Sequence, residues 1–303
     1  MLSAENVSVV FRKGFRRKSI RALDGLTLAV RPGDFLALIG ENGAGKSTAM
    51  YCFLGLIRPN RGRVLLLGER PAPGSALYGR IGYLPEEPHY HLYLTVVEAV
   101  TYYATLSGAR VSSRQIAQIL ERLGLAEFRD LRLSKCSKGM KQKAGIAQCL
   151  LHAPSLLFLD EPMRGLDPII VREFRQILAD LHRDGVTIVM NSHMLPEVEA
   201  LATRVAVLDK GKVVADDTIE SFRRGASDIY FVEFERGEGE LPLFLTVEAR
   251  TDGSIRGTIP AEAFHDFHDY ARAKGLCVFS CVLKRQSLED SFVSIVRKAG
   301  PDA

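Results

Sequence analysis

Hydrophobic and polar positions along the chain change period several times, and each change marks an element. Residues 4–11 and 23–30 alternate as strands do, joined by a basic stretch that reads as an elongated hairpin. The turn Arg31-Pro-Gly-Asp34 is followed by an unbroken apolar run, Phe35–Ile39, then a glycine-rich segment and a helix reaching about Leu56. Pro59-Asn-Arg-Gly62 turns into a strand over Arg63–Leu67, and Arg80–Pro88 holds a short strand ending in a proline-bounded loop. Thr95 with Glu98, and Ser112 with Gln115, have capping-box spacing and open two helices. Ser137 stands as the cap of a third helix that runs to Leu151. These helices interrupt the strand series and predict a helical subdomain over about residues 90–150.

Leu156–Leu159 is again continuously apolar, as in a strand buried on both faces of a parallel sheet. A helix over 169–182, a strand over Val186–Met190, a helix over Leu195–Ala202 and a strand pair around Lys210-Gly211 continue the alternation. Strand and helix alternating in this way predict a doubly wound α/β fold. The texture changes around Ser221–Asp228. Strands at 229–234, 243–249 and 276–284, with helices at 261–274 and Ser287–Lys298, predict a small separate α+β unit. The expected domains are therefore 1–225 and 226–303.

Chemistry concentrates in the glycine-rich segment. Gly40, Gly45, Lys46 and Ser47 complete the pattern G-x-x-x-x-G-K-[ST], with Asn42, Gly43, Ala44 and Thr48 in and beside it. It lies between a buried strand and a helix, the context in which inward-turned N–H groups and a helix N-terminus hold phosphate. Lys46 would reach the β- and γ-phosphates, and the Ser47 hydroxyl would ligate Mg²⁺. Asp160 closes its apolar strand where a carboxylate would hold Mg²⁺ beside that loop, and Glu161 is placed to activate a water.

Composition narrows the class. Apolar content of 47% and charged content of 25% in 303 residues are those of a globular chain. The net charge of +4 is local, because Arg12, Lys13, Arg16, Arg17, Lys18 and Arg21 supply six charges; without them the chain stands at 4 − 6 = −2. A broad nucleic-acid surface is not expected. The basic stretch itself reads equally as a solvated loop or as a face toward phosphate or anionic lipid. No segment resembles a signal peptide, and no apolar run approaches the ~20 residues of a membrane helix. Cys52, Cys136, Cys149, Cys277 and Cys281 have no C-x-x-C spacing, and four of them lie in apolar or helical patterns, so reduced core thiols of a cytosolic protein are expected. His265 and His268, at i and i+3, do not make a complete metal site.

From about residue 4 to 220 the chain resembles the ATP-binding subunits of ABC transporters, with five motifs in the family's order. Gly40–Thr48 matches the Walker A loop, and Leu156–Asp160 the Walker B strand with Glu161 as catalytic carboxylate. Ser137-Lys-Gly-Met140 matches the signature, Gly165–Pro168 the D-loop, and His193 the switch histidine. The resemblance implies a RecA-like core with an antiparallel β subdomain and an α-helical subdomain, ATP and Mg²⁺ as cofactors, and Phe11 (or Phe15) stacked on adenine. It implies Ser137 and Gly139 contacting γ-phosphate, and Asp167 in the nucleotide site. It also implies a homodimer or heterodimer built across two ATP molecules, separate integral membrane permease subunits as partners, and a peripheral location of this chain at the cytoplasmic face of the cell membrane.

The chain departs from the family pattern in several places. Lys138 and Met140 replace a glycine and a glutamine of the usual signature, Glu86 stands where the Q-loop glutamine is usual, and Arg164 replaces a D-loop serine. Ser-Lys-Gly-Met signatures, and an element like Ser287-Leu-Glu-Asp-Ser-Phe292, are similar to those of ABC-2 type exporters. A carboxylate at 86 can still ligate Mg²⁺, yet it cannot donate a hydrogen bond when ionised. The expected function is an ATPase powering export through a separate permease. The alternative is a soluble ATPase of the same family acting on a non-transport partner, although such proteins typically carry tandem nucleotide domains or long coiled coils.

Overall fold

Three strands buried at every one of their five positions explain the centre of the fold. In the computed structural model, which describes residues 1–13, 18–108, 110–224, 228–237, 239–284 and 288–299, the chain starts with β1 (Leu2–Lys13) and β2 (Lys18–Val30), and then enters β3 (Phe35–Ile39). It continues through α1 (Lys46–Phe53), β4 (Arg61–Leu66), β5 (Ile81–Leu84), α2 (Val96–Leu106), α3 (Ser113–Arg122) and α4 (Lys138–Leu150). Next come β6 (Leu156–Asp160), α5 (Pro168–Arg183), β7 (Thr187–Asn191), α6 (Leu195–Leu201), β8 (Arg204–Asp209) and β9 (Lys212–Thr218). Strands β3, β6 and β7 are fully buried, as continuous apolar runs require when helices cover both faces.

The six-stranded sheet has the order β5-β6-β7-β3-β8-β9. Its pairs are parallel except the last, β8 with β9. A second, antiparallel sheet has the order β2-β1-β4. One apolar core joins the two sheets through α1: Val7, Leu23 and Leu26 share it with Met50, Phe53, Leu36 and Phe158. The antiparallel β subdomain thus packs directly behind the glycine-rich loop.

Both predicted capping boxes close. Thr95 accepts the Glu98 amide while Glu98 accepts the Thr95 amide, and Ser112 with Gln115 does the same, so four orphan N–H groups at two helix starts are satisfied. Ser137 Oγ accepts the Met140 amide at the start of α4. Leu133 N–H donates to Leu94 O, tying the segment before α4 to the segment before α2.

By residue contacts the chain divides into Met1–Thr218 and Ile219–Lys298. The second unit comprises α7 (Ile219–Arg224), β10 (Ile229–Glu235), β11 (Thr246–Arg250), β12 (Ser254–Pro260), α8 (Phe264–Lys274), β13 (Val278–Lys284) and α9 (Leu288–Ala299). Its antiparallel sheet has the order β11-β12-β10-β13. Phe234, Ile255, Ile259 and Phe267 form its core, with Phe267 edge-on to Phe234 at 5.3 Å. Strand β12 was not anticipated from the sequence. Its inward positions are Ile255, Gly257 and Ile259, and the middle one has no side chain to mark the alternation. The capping serine expected at Ser287 and the alternative aromatic Phe15 lie outside the described residues.

The cysteine expectation holds for only three of the five. Cys52, Cys136 and Cys149 are buried, whereas Cys277 and Cys281 are exposed. Burial pushes the Cys52 thiol up to about 11 and the Cys149 thiol to about 12, which leaves both protonated and unreactive. Cys281 lies on β13, an edge strand, so an apolar pattern there does not guarantee burial.

Candidate functional site

The phosphate loop leaves β3 and re-enters regular structure at Lys46. Gly45 caps α1 with φ 107°, and a Cβ there would lie 2.5 Å from the Ala22 carbonyl oxygen, so only glycine fits. The loop is held from outside as well: Gly211 N–H donates to Ala44 O (2.9 Å), and Asp24 N–H donates to Gly211 O (3.0 Å). Lys46 is buried, and its Nζ donates to Gly40 O at 2.7 Å and Glu41 O at 3.1 Å. Burial lowers the Lys46 pKa, opposed by the negative charges of Glu161 and Asp160.

The carboxylates stand at the ends of neighbouring strands. Register places Asp160, the last residue of β6, opposite Asn191, the last of β7, and Asn191 Nδ2 donates to Asp160 Oδ1 at 3.0 Å. Burial raises the Asp160 pKa; the Asn191 hydrogen bond opposes the rise and the Glu86 carboxylate adds to it. Glu161 turns out of the strand with φ 47°, a left-handed backbone uncommon for any residue but glycine. Its N–H donates to Asn191 O. Its Oε2 lies 2.7 Å from His193 Nδ1 and also accepts the His193 amide at 3.4 Å. A carboxylate accepts, so the ring proton sits on Nδ1 and Nε2 is left for another partner.

Behind this pair, Arg175 of α5 makes two 2.8 Å bonds to the buried Glu197 of α6. A cavity of about 390 Å³ opens over these groups. Of the residues expected in the site, Asn42, Gly43, Gly45, Lys46, Ser47, Thr48, Glu86, Glu161 and His193 line it. Gly40 and Ala44 serve through loop backbone, and Asp160 lies buried behind. A larger cavity of about 550 Å³, around Arg58, Arg63 and Pro71, has no carboxylate, lysine or histidine on its wall and offers no comparable chemistry.

Besides Gly40 and Ala44, four expected nucleotide contacts do not line the cavity. Phe11 is 42% exposed and pairs across the hairpin with Ile20; the wall there is formed by Ile20, Arg21 and Ala22 of β2. Ser137 and Gly139 begin α4. Asp167 caps α5, accepting the Ile169 and Ile170 amides at 3.1 and 3.0 Å, so in the single chain its carboxylate serves the helix.

The sequence reading also missed two contacts. Asn191 as the partner of Asp160 follows only from strand register. The second is Arg164, which lines the cavity and forms an ion pair with Glu86.

Comparison with known proteins agrees with this geometry. The ABC transporter family model matches residues 23–164. An ABC transporter ATP-binding protein of Nostoc sp. strain PCC 7120 is 37% identical over 296 residues, 95% of this chain and 88% of that protein. The bacitracin transport ATP-binding protein BcrA of Bacillus licheniformis is 31% identical over 288 residues, 92% of this chain and 93% of the other. Among solved structures, an ATP-binding subunit of an ABC transporter superposes with a TM-score of 0.65 at 30% identity, covering 74% of this chain and 92% of that one. The dimeric cassette MJ0796 bound to ADP and Pi has the same TM-score at 23% identity, covering 72% and 99%, and supports the fold. Matched along most of such relatives' length, and with the phosphate loop and paired carboxylates assembled at one cavity, the chain belongs to the ATP-binding subunits of ABC transporters, which are ATPases.

Proposed function

We propose that the chain powers an exporter of the ABC-2 type, closing in pairs around two ATP molecules and driving separate permease subunits from the cytoplasmic face of the membrane. Relatives named for bacitracin transport and lantibiotic transport support a role in transport. No helix among the described residues is long and apolar enough to cross a membrane, so the span is assigned to the permease. The loop Glu86–His91, between the parallel sheet and the helical region, is the proposed coupling surface. Residues 1–225 would act as the catalytic cassette and 226–303 as an accessory unit that braces the dimer.

The observation that carries the site reading is the Glu161–His193 contact at the mouth of the phosphate loop. Glu161 would take the proton of the attacking water, and His193, held through Nδ1, would contact the γ-phosphate as the doubly protonated ring, with Nε2–H as the donor. Lys46 and the loop amides would hold the β- and γ-phosphates. Phe11 would extend the adenine wall beyond Ile20. Ser137 and Gly139, outside the cavity of one chain, would complete the site of the other copy, with Asp167 at the same seam.

The residues fit Mg²⁺. It takes hard oxygen ligands, commonly one or two carboxylates together with substrate phosphates. Asp160 is a buried acid in no ion pair among the described residues, and Ser47 lines the cavity. Ser47 and Asp160 would hold the ion, with Glu86 as a third oxygen source. Bound there, it would neutralise charge on the phosphates.

The test is Glu161→Gln. ATP binding should persist, turnover should fall by about 10²-fold or more, and an ATP-bound dimer should accumulate on size exclusion. Hydrolysis near the wild-type rate would remove Glu161 from the role of base.

A further inference from the structure

Glu86 and Arg164, each unusual for the family on its own, meet. The Glu86 carboxylate is paired with the Arg164 guanidinium across 78 positions of sequence. Both side chains line the nucleotide cavity beside Lys46, Ser47, Glu161 and His193. Each is also tied to α4 through its backbone: Gln142 Nε2 donates to Glu86 O at 3.1 Å, and Lys138 Nζ donates to Arg164 O at 2.6 Å. Arg164 N–H further donates to Glu161 O, so the pair hangs directly beside the proposed base.

Charge makes the consequence definite. Without Arg164, the cavity and its floor would hold three carboxylates (Glu86, Asp160 and Glu161) against Lys46 and an Arg21 already paired with Asp24, an arrangement that disfavours a triphosphate. A neutral glutamine and serine at positions 86 and 164 would contribute no charge, and a glutamate with an arginine also sums to zero. We infer that Arg164 is a positioning residue whose guanidinium cancels the Glu86 carboxylate inside the nucleotide cavity, so that the two substitutions act as one charge-neutral unit.

Arg164 and Glu86 side chains are 54% and 35% exposed. A pair this open to water adds little to folding stability. Its effect falls on whatever anion enters the cavity, which is the difference from a merely structural ion pair. The inference rests on the proposed phosphate site.

The experiment measures ATP and ADP affinity of the full chain in EDTA, by displacement of a fluorescent nucleotide, with thermal melting alongside. A unit charge uncovered in a solvent-open cavity changes affinity on the order of tenfold, about 1.4 kcal/mol. Arg164→Ala should weaken ATP by about that factor and ADP by less, with melting unchanged. Arg164→Lys should stay close to wild type. Adding Glu86→Gln to Arg164→Ala should recover ATP affinity to within about threefold of wild type, on the same charge argument. An ATP loss that persists in the double variant, or wild-type ATP affinity in Arg164→Ala, overturns the inference. Lys46→Ala, measured in parallel, separates the two readings. If it keeps ATP affinity, the phosphate-site reading fails. If it loses affinity while Arg164→Ala keeps wild-type ATP affinity, or while the double variant fails to recover, only the charge pairing fails.

Discussion

Replacing Glu161 by alanine and by glycine separates what its backbone costs from what its carboxylate does. The residue sits at φ 47°, where an L side chain costs about 1–2 kcal/mol relative to glycine. Glycine in turn loses about 0.4–1 kcal/mol to the freedom it adds to the unfolded chain. Both variants forfeit the contact between Oε2 and His193, so that loss cancels in the comparison. The net leaves Glu161→Gly more stable than Glu161→Ala by about 0.8 kcal/mol. In a unit the size of Met1–Thr218 that corresponds to about 2 °C in melting temperature. Nucleotide-free melts of the two full-length variants, read at the transition of this unit, measure the difference. Phosphate release should fall by about 10²-fold or more in both. If the alanine variant melts above the glycine variant, the strained turn carries no such cost, and if the glycine variant hydrolyses ATP at the wild-type rate, the carboxylate is not the base.

Three further outcomes are expected. His193→Ala should slow hydrolysis while sparing ADP affinity, and an equal loss of ADP binding would mark the histidine as structural. Arg175→Ala removes both hydrogen bonds it donates to the buried Glu197 carboxylate and should cost about 2 kcal/mol in urea denaturation; a change near zero would mean water replaces the guanidinium. Burial holds Asp160 above the ordinary carboxylate range, so its contribution to stability is full below its unfolded pKa and is lost as pH rises through the folded one. Asp160→Asn should therefore raise the nucleotide-free melting temperature at neutral pH, by an amount that shrinks on acidification, and a gain that grows instead would reverse the sign of the argument.

Features written in neighbouring residues were legible in the sequence. The two capping boxes depend on residues three apart, and the buried strands on unbroken apolar runs of four or five. The phosphate loop, Asp160 and Glu161 could be read because the strand, the turn and the chemistry are contiguous. Features that depend on register or tertiary approach were not. Asn191 donates to Asp160 only because β6 and β7 end level, 31 positions apart. Glu86 and Arg164 were visible as two separate oddities, but their pairing needs the turns after β5 and β6 to face each other. Strand β12 disappeared from the pattern at Gly257, and Cys277 and Cys281 looked like core residues because periodicity does not say which strand lies at an edge.

The turn between β8 and β9 also belongs to the nucleotide site, although no phosphate chemistry is written there. Gly211 gives its N–H to Ala44 and receives that of Asp24, and with φ 82° a Cβ would come within 2.7 Å of Ala22 O and 2.8 Å of Leu23 Cα. A side chain at this position would therefore push the wall from which the loop hangs, and its first symptom should be lost nucleotide affinity rather than lost fold. When variation in this chain is sorted by effect, position 211 groups with the loop at 40–48, and a survey confined to residues that touch the ligand would misfile it as a surface turn.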